Sequence, residues 1–184
     1  EYMKGVVDGV NTRKWSGEGA QVRTFKVQGG ELKLTVAQIM ELYLLDQREQ
    51  ARGHIYGMGI KPIDQKVMEG KKKVNIRAVA PVTVTGEDVQ KIIATLTPEQ
   101  KRVADAMQMF VSTTAADWGN ETSMILYGYR KFTEENYWPI KTDENFVNTQ
   151  DPQAYSGLYA LRNLGMTKAT IKGARNPIIL GDVF

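Results

Sequence analysis

Two carboxylates at helical spacing are the residues of this chain best suited to chemistry. Asp117 and Glu121 are four positions apart, and Glu121 falls on an apolar stripe between Trp118 and Ile125. A like-charged pair at this spacing costs about 0.2–0.5 kcal/mol on an exposed helix, so it needs a cation nearby. Arg130 is predicted to lie too far along the same helix to serve. The pair could hold a metal ion or act in acid–base catalysis. It could also belong to a structural network, because a metal requires further ligands.

The single histidine is the third candidate catalytic residue. His54 follows Arg52 and Gly53 at a predicted helix end, where capping or packing is the favoured interpretation over catalysis or metal binding. The glycines that follow lack the Gly-Lys-Ser/Thr ending of a phosphate loop and are read as turns. The chain has no cysteine, which excludes thiol nucleophiles and cysteine-based metal sites. We therefore predict no cofactor, and these residues do not indicate a particular enzymatic activity.

Nucleic-acid binding is a further alternative. The net charge of +3 and the pI near 9.0 are mildly basic. Aromatic residues between Tyr127 and Trp138 stand beside Arg130 and Lys131, and such a mixture can stack bases, although core and helix–loop packing is the favoured interpretation. The residues that could contact phosphate are Lys71, Lys72, Lys73, Lys168, Lys172 and Arg175.

The first half of the chain predicts a hairpin followed by a helix. Alternating residues on either side of Gln28-Gly29-Gly30 predict two antiparallel strands. Thr35 and Gln38 form a capping-box pattern, which opens a helix expected to run to about Arg52. Residues 74–79 alternate and predict a strand. Thr85 with Asp88 predicts a short helix to about Ala94.

The second half is dominated by one long helix. Thr97, Pro98 and Gln100 are a strong helix start, and the helical pattern continues to about Phe132. A straight helix of that length would span about 52 Å, more than a domain of this size accommodates, so we predict a bend within residues 112–120. Pro139 ends the element, and Trp138 is expected to fold back onto the helix face that carries Trp118.

The remaining segments complete a single domain over residues 1–184. Residues 1–19 are predicted to be a linker or entry segment, and 154–164 a last helix. Residues 178–180 form either a short strand or the start of a helix. No apolar run is long enough to span a membrane. The fold class expected is α+β, mainly helical, with an N-terminal β-hairpin and one long, kinked helix at about 98–132.

Several blocks of the chain resemble segments of very large multidomain proteins of tailed phages and prophages of Gram-positive gut bacteria, often called large polyvalent proteins. The similarity runs from about residue 30 to the end. The blocks are Leu34–Leu45, Arg48–His54, Asp117–Glu121, Tyr137–Ile140, Met166–Ala174, Pro177 and Gly181–Phe184.

This resemblance implies a biological setting and carries over no catalytic residue. It implies a non-enzymatic structural or interaction module of a phage or prophage polyprotein, located in the virion or the host cytoplasm. Its partners would be other segments of the polyprotein or virion proteins, with nucleic acid as a further possibility. The start at Glu1 agrees with a fragment of a longer polypeptide. The alternatives from the residues themselves stay open: a metal-dependent enzyme using Asp117 and Glu121, or a nucleic-acid-binding module.

Overall fold

The chain forms a mixed α+β structure, as predicted. The computed structural model describes residues 8–134, 136–144 and 176–184. The helix expected at 154–164 and the basic residues Lys168, Lys172 and Arg175 lie outside the described residues. Among the described residues, no helix is long and apolar enough to cross a membrane.

The predicted N-terminal hairpin is confirmed. Strands β1 (Val22–Val27) and β2 (Gly30–Thr35) are antiparallel, and Val27 lies opposite Gly30 across the turn. Gly29 in that turn donates its backbone N–H to the Thr83 carbonyl over 2.8 Å. A Cβ at this glycine would stand 2.5 Å from the Thr83 nitrogen, so the close approach requires glycine.

The helix expected from Thr35 to Arg52 is in fact two helices. α1 (Val36–Asp46) begins at the predicted capping box of Thr35 and Gln38, and α2 (Glu49–Met58) follows after a break. The break falls at Arg48, whose backbone is extended and whose side chain is buried. Distant contacts of Arg48, described below, override the local helical preference. The helix therefore does not end at Gly53, and α2 ends at Gly59, whose backbone has a positive φ of 89°.

Two further strand pairs flank this helical pair. β3 (Ile60–Pro62) runs parallel to β6 (Ile178–Leu180), so the strand alternative for residues 178–180 is confirmed. β4 (Gln65–Glu69) and β5 (Lys72–Ile76) form an antiparallel hairpin. The strand predicted over 74–79 is thus shifted towards the N-terminus. Residues 77–79 leave the sheet, and the Val79 side chain is 94% exposed.

The predicted helix starts at Thr85 and Thr97 are confirmed, each with a complete capping box. They open α3 (Gly86–Ile93) and α4 (Pro98–Phe110). α4 continues through a π-helical stretch (Val111–Ala115) into α5 (Ala116–Tyr127). This irregularity overlaps the window in which a bend was predicted. The helical path ends at Gly128, four residues earlier than expected, because Gly128 adopts a left-handed conformation that caps α5.

The core is assembled around α1. Its residues from Val36 to Leu45 are buried except for Tyr43, and α4 and α3 pack against it. Trp15 of the entry segment is also buried, and its carbonyl accepts the Ala37 N–H over 3.0 Å. The other buried apolar side chains of this core come from strands β2, β3 and β6, helices α2, α3 and α4, and the segments that connect or follow them: Leu32, Leu34, Ala51, Ile55, Ile60, Val84, Val89, Ile92, Ile93, Leu96, Val103, Ala104, Trp138, Ile178, Leu180 and Val183.

Candidate interaction surface

Helix α5 and the chain that returns along it form one substructure, residues 116–134, which we call the arm. After Gly128 the chain reverses and runs back beside α5. The side-chain amide of Asn120 holds the returning backbone by two hydrogen bonds: Nδ2 donates to the Phe132 carbonyl over 2.7 Å, and Oδ1 accepts the Phe132 N–H over 2.8 Å. Asn120 is 4% exposed, so these bonds are shielded from water. Its one side-chain amide satisfies both backbone polar groups of Phe132, as a neighbouring β-strand would.

Three further contacts close the arm. The hydroxyl of Ser123 donates to the Tyr129 carbonyl over 2.8 Å. The ring of Phe132 lies against Gly119, where an added Cβ would stand 2.8 Å from the ring edge. Arg130 donates to the Asp117 carboxylate over 3.1 Å, because the reversal at Gly128 brings it back along the helix. The expectation that Arg130 lies too far away to answer Asp117 is therefore wrong.

The outer face of the arm is apolar and exposed. Trp118, Ile125 and Leu126 are 62%, 84% and 64% exposed, and Met124 and Tyr127 are also exposed. The apolar stripe that carries Trp118 and Ile125 is therefore not the buried face of α5, whose buried residues are the polar Asn120 and Ser123. Those two side chains satisfy the returning backbone, and the apolar ones are left in water. Large exposed apolar patches on a folded protein commonly mark interaction sites.

The base of the arm is fixed to the body by Arg48. Its guanidinium, whose side chain is 6% exposed, binds Glu134 over 2.5 Å and donates to the Trp138 carbonyl. The same group stacks over the Tyr137 ring at 5.2 Å. Gln108 of α4 donates to the Asn136 carbonyl over 3.0 Å. Trp138 itself is buried as expected, but it packs in the core around α1 and not on the exposed face that carries Trp118.

A cleft of about 740 Å³ lies between the arm and the body. Its wall carries the carboxylates of Asp105, Asp117 and Glu134 and the Arg130 guanidinium. Each carboxylate already has a partner within the protein: Tyr43 donates to Asp105 over 2.9 Å, and arginines bind the other two. Of these pairs, Arg48–Glu134 joins the arm to the body, whereas Tyr43–Asp105 lies within the body and Arg130–Asp117 within the arm.

The proposed carboxylate pair is not assembled into a metal site. Asp117 is paired with Arg130, whereas Glu121 is exposed and has no hydrogen-bond or ion-pair partner among the described residues. Across the described ranges, no group of three or more His, Cys, Asp or Glu side chains could hold a metal ion. The tertiary structure thus brings an arginine to one carboxylate and leaves the other on the surface.

His54 lies within α2 and not at a helix end, contrary to prediction. Its Nδ1 is 2.8 Å from the Asn176 carbonyl. Because a carbonyl only accepts, Nδ1 must carry the proton. The histidine therefore fastens the C-terminal segment to α2, which is a packing role.

The three lysines of the basic block lie at the β4–β5 hairpin. Lys71 occupies the turn after Gly70, and all three side chains are exposed. Lys73 makes a 3.4 Å ion pair with Glu18, in which both side chains are mostly in water. Their predicted partners at positions 168–175 lie outside the described residues, so no combined basic surface is described.

Two buried charged residues were missed by the sequence analysis. The helical pattern predicts a continuous helix through Arg48, and it gives Glu41 no role within an apolar helix face. Glu41 is 4% exposed, and its burial raises the pKa of the carboxyl to about 7. The available signal was the position of Glu41, a lone carboxylate between Met40 and Leu42 in an otherwise apolar run.

No protein-family model matches the chain. No match was found among curated proteins or among solved structures. The likeness to phage polyproteins therefore rests on the sequence blocks alone.

Proposed function

We propose that this domain is a non-enzymatic interaction module of a phage or prophage polyprotein, and that the arm contacts a neighbouring segment of that polyprotein or a virion protein. The observation that carries the proposal is the outward apolar face of α5, centred on Trp118, Ile125 and Leu126. The setting comes from the resemblance of the sequence blocks. The arm contains the block Asp117–Glu121, which carries part of that resemblance.

The internal order of the arm supports a prepared binding surface. Asn120, Ser123 and Gly119 hold the returning chain along its length. A surface that is already ordered loses little conformational entropy when a partner docks, which favours affinity. Exposed Trp and Tyr side chains contribute large contact areas at interfaces. The arm therefore offers rigid apolar anchors before any partner arrives.

The chemistry of the exposed face indicates what the partner presents. The exposed side chains of Ile125 and Leu126 would be buried best against an apolar patch on the partner. Glu121 beside them is a carboxylate that has no ion-pair partner among the described residues. A partner with apolar side chains flanked by a lysine or arginine complements both features. This is the composition we propose for the contacting segment.

Binding between this domain and the separately produced flanking segments of its reading frame is the direct test. We expect isothermal titration calorimetry to detect one segment that binds. Ile125→Asp should weaken that binding at least about tenfold, because it places a charge at the centre of an apolar contact. Val79→Asp is the matched control, since Val79 is also an exposed apolar residue but lies outside the arm, in the segment after β5.

Four results would overturn the proposal. The first is that no flanking segment binds the domain. The second is that Ile125→Asp and Val79→Asp lose the same amount of binding affinity. The third is self-association in light scattering that Ile125→Asp abolishes, which would assign the face to a second copy. Robust hydrolase or nuclease turnover that is lost in Glu121→Gln would replace the module with the enzyme alternative.

The nucleic-acid alternative rests on the exposed hairpin lysines. It requires affinity that falls steeply with salt, since each neutralised phosphate contributes a slope of about −0.9 on duplex DNA. Gel-shift titrations of the wild type and a Lys71→Ala, Lys72→Ala, Lys73→Ala triple variant separate this function from the apolar arm. Salt-sensitive binding that the triple variant loses would favour it.

A further inference from the structure

Four distant parts of the chain meet at a buried junction around Glu41. Glu41 projects from α1, and the Trp138 indole reaches it from the loop that returns from the arm. Gly181 approaches from the C-terminal segment, so closely that a Cβ there would lie 3.3 Å from Glu41 Oε2. The neighbouring Asp182 accepts a hydrogen bond from the Ser16 hydroxyl of the entry segment. The junction therefore joins both ends of the described chain to the central helix.

The polar atoms at the centre of this junction are incompletely paired. Among the described residues, neither Glu41 Oε2 nor Trp138 Nε1 has a hydrogen-bond partner of normal geometry, although both are buried. The indole still interacts with the carboxyl, as does the Gly181 backbone N–H. A buried carboxyl in this state is far less costly when it is neutral than when it is ionised.

The C-terminal strand, which leads into Gly181 at this junction, is paired on both of its sides. β6 pairs with β3 on one side, and on the other the Ile179 N–H donates to the Lys141 carbonyl over 2.9 Å. Asp143 donates its N–H to the Pro177 carbonyl over 3.0 Å. Movement of Glu41 away from Trp138 and Gly181 would therefore loosen two segments together, residues 136–144 and 176–184.

We propose that Glu41 is a pH-sensitive latch: protonated, it fastens the 136–144 loop and the C-terminal strand to α1, and ionisation loosens both. The charged groups that face it are Lys141, which favours the ionised form, and Asp182, which opposes it. This proposal concerns the body of the domain and does not depend on what the arm binds.

The direction of the effect follows from proton linkage. Burial raises the pKa of Glu41 to about 7 from an ordinary value of 4.5, with the Asp182 charge adding to the shift. The closed junction therefore binds the proton more tightly than the open one. Its stabilisation is complete below pH 4.5 and is lost as pH rises through about 7. From pH 6 to pH 8 the opening constant should rise about tenfold.

Hydrogen exchange followed by NMR measures this opening residue by residue. After correction for intrinsic exchange rates, the amides of Ile179 and Asp143 should lose about tenfold in protection from pH 6 to pH 8. The amides of the β1–β2 hairpin serve as an internal reference and should not change. Glu41→Gln keeps the side-chain shape without the titration, so it should remove the pH response of both reporters.

Glu121→Gln is the control variant, because it removes an exposed carboxylate outside the junction. It should leave the tenfold response intact. Constant protection of Ile179 in the wild type between pH 6 and pH 8 would overturn the latch. Retention of the full response in Glu41→Gln would do the same. If Glu41→Gln does not fold, ¹³C NMR titration of the wild-type Glu41 carboxyl decides: a midpoint near 7 that coincides with the loss of protection supports the latch, and a midpoint near 4.5 refutes it.

Discussion

Trp138 and Trp118 contribute differently to the stability of the fold, because only Trp138 is buried. Trp138 is 7% exposed and packs in the core around α1, whereas Trp118 is 62% exposed on the arm. We expect Trp138→Ala to lower the free energy of unfolding by about 3–5 kcal/mol, since it removes a large buried side chain and leaves a cavity. Trp118→Ala should cost less than about 1 kcal/mol. Urea denaturation of both variants makes the comparison.

The outcome separates packing from recognition. Lys71→Ala at the exposed hairpin provides a second control and should barely change the denaturation midpoint. If Trp138→Ala kept full stability and lost only partner binding, Trp138 would belong to a recognition surface. The core assignment would then be incorrect.

Among the glycines that the structure describes, Gly59 tolerates a side chain least well. It has a φ of +89°, and a Cβ there would stand 2.3 Å from the Val82 carbonyl oxygen. Gly59→Ala should therefore destabilise the protein by about 3 kcal/mol or more, because neither the strained conformation nor the backbone contact can be relieved cheaply. Gly86→Ala is the matched control: no atom lies within 4 Å of its Cβ position, and alanine favours a helix. Thermal unfolding in which the two variants lose equal stability would contradict the argument.

Among the elements, the arm depends on a polar interior. Asn120→Ala leaves the Phe132 N–H and carbonyl without their partners, and we expect a loss of about 1–3 kcal/mol. The damage should be local, so cleavage within residues 128–134 should accelerate in limited proteolysis while the hairpin stays protected. Thr122→Ala, on the exposed side of the same helix, should change neither readout. Unchanged cleavage in Asn120→Ala would mean that other contacts hold the returning chain.

The π-helical stretch connects two elements with different neighbours. α4 packs on α1, whereas α5 is accompanied mainly by its own returning chain. Thr113 within this stretch donates to the Met109 carbonyl over 2.6 Å, and Ser112 donates to the Tyr137 carbonyl over 3.4 Å. Hydroxyl bonds of this kind compete with the helical pattern. The irregularity therefore sits where the arm departs from the body.

For the whole molecule, divalent metal should have no effect on stability. Within the described parts of the chain no cluster of ligands is present, and Arg130 occupies the Asp117 carboxylate. We expect the melting temperature to stay constant in millimolar Mg²⁺, Mn²⁺ or Ca²⁺, because stabilisation would follow RT ln(1 + [L]/Kd) for a specific site. A rise that disappears in Glu121→Gln would revive the metal-dependent enzyme.

The local sequence determined the starts of three helices, α1, α3 and α4, and the first hairpin. The capping boxes at Thr35, Thr85 and Thr97 each depend on two residues three positions apart, so their hydrogen bonds can be read from the chain. The hairpin likewise follows from alternation on either side of Gly29 and Gly30. Within such short distances, propensity and turn chemistry decide the conformation.

Only the tertiary structure decided where the candidate site lies. Arg48 interrupts a helix because Glu134 and the Trp138 carbonyl bind it from far along the chain. Asn120 and Ser123 are buried because the chain reverses at Gly128, and the apolar stripe of α5 is consequently turned to solvent. Helical periodicity identifies two faces of a helix, but the direction of the core depends on which distant backbone needs hydrogen bonds. That choice is made by contacts between remote residues, which no local pattern records.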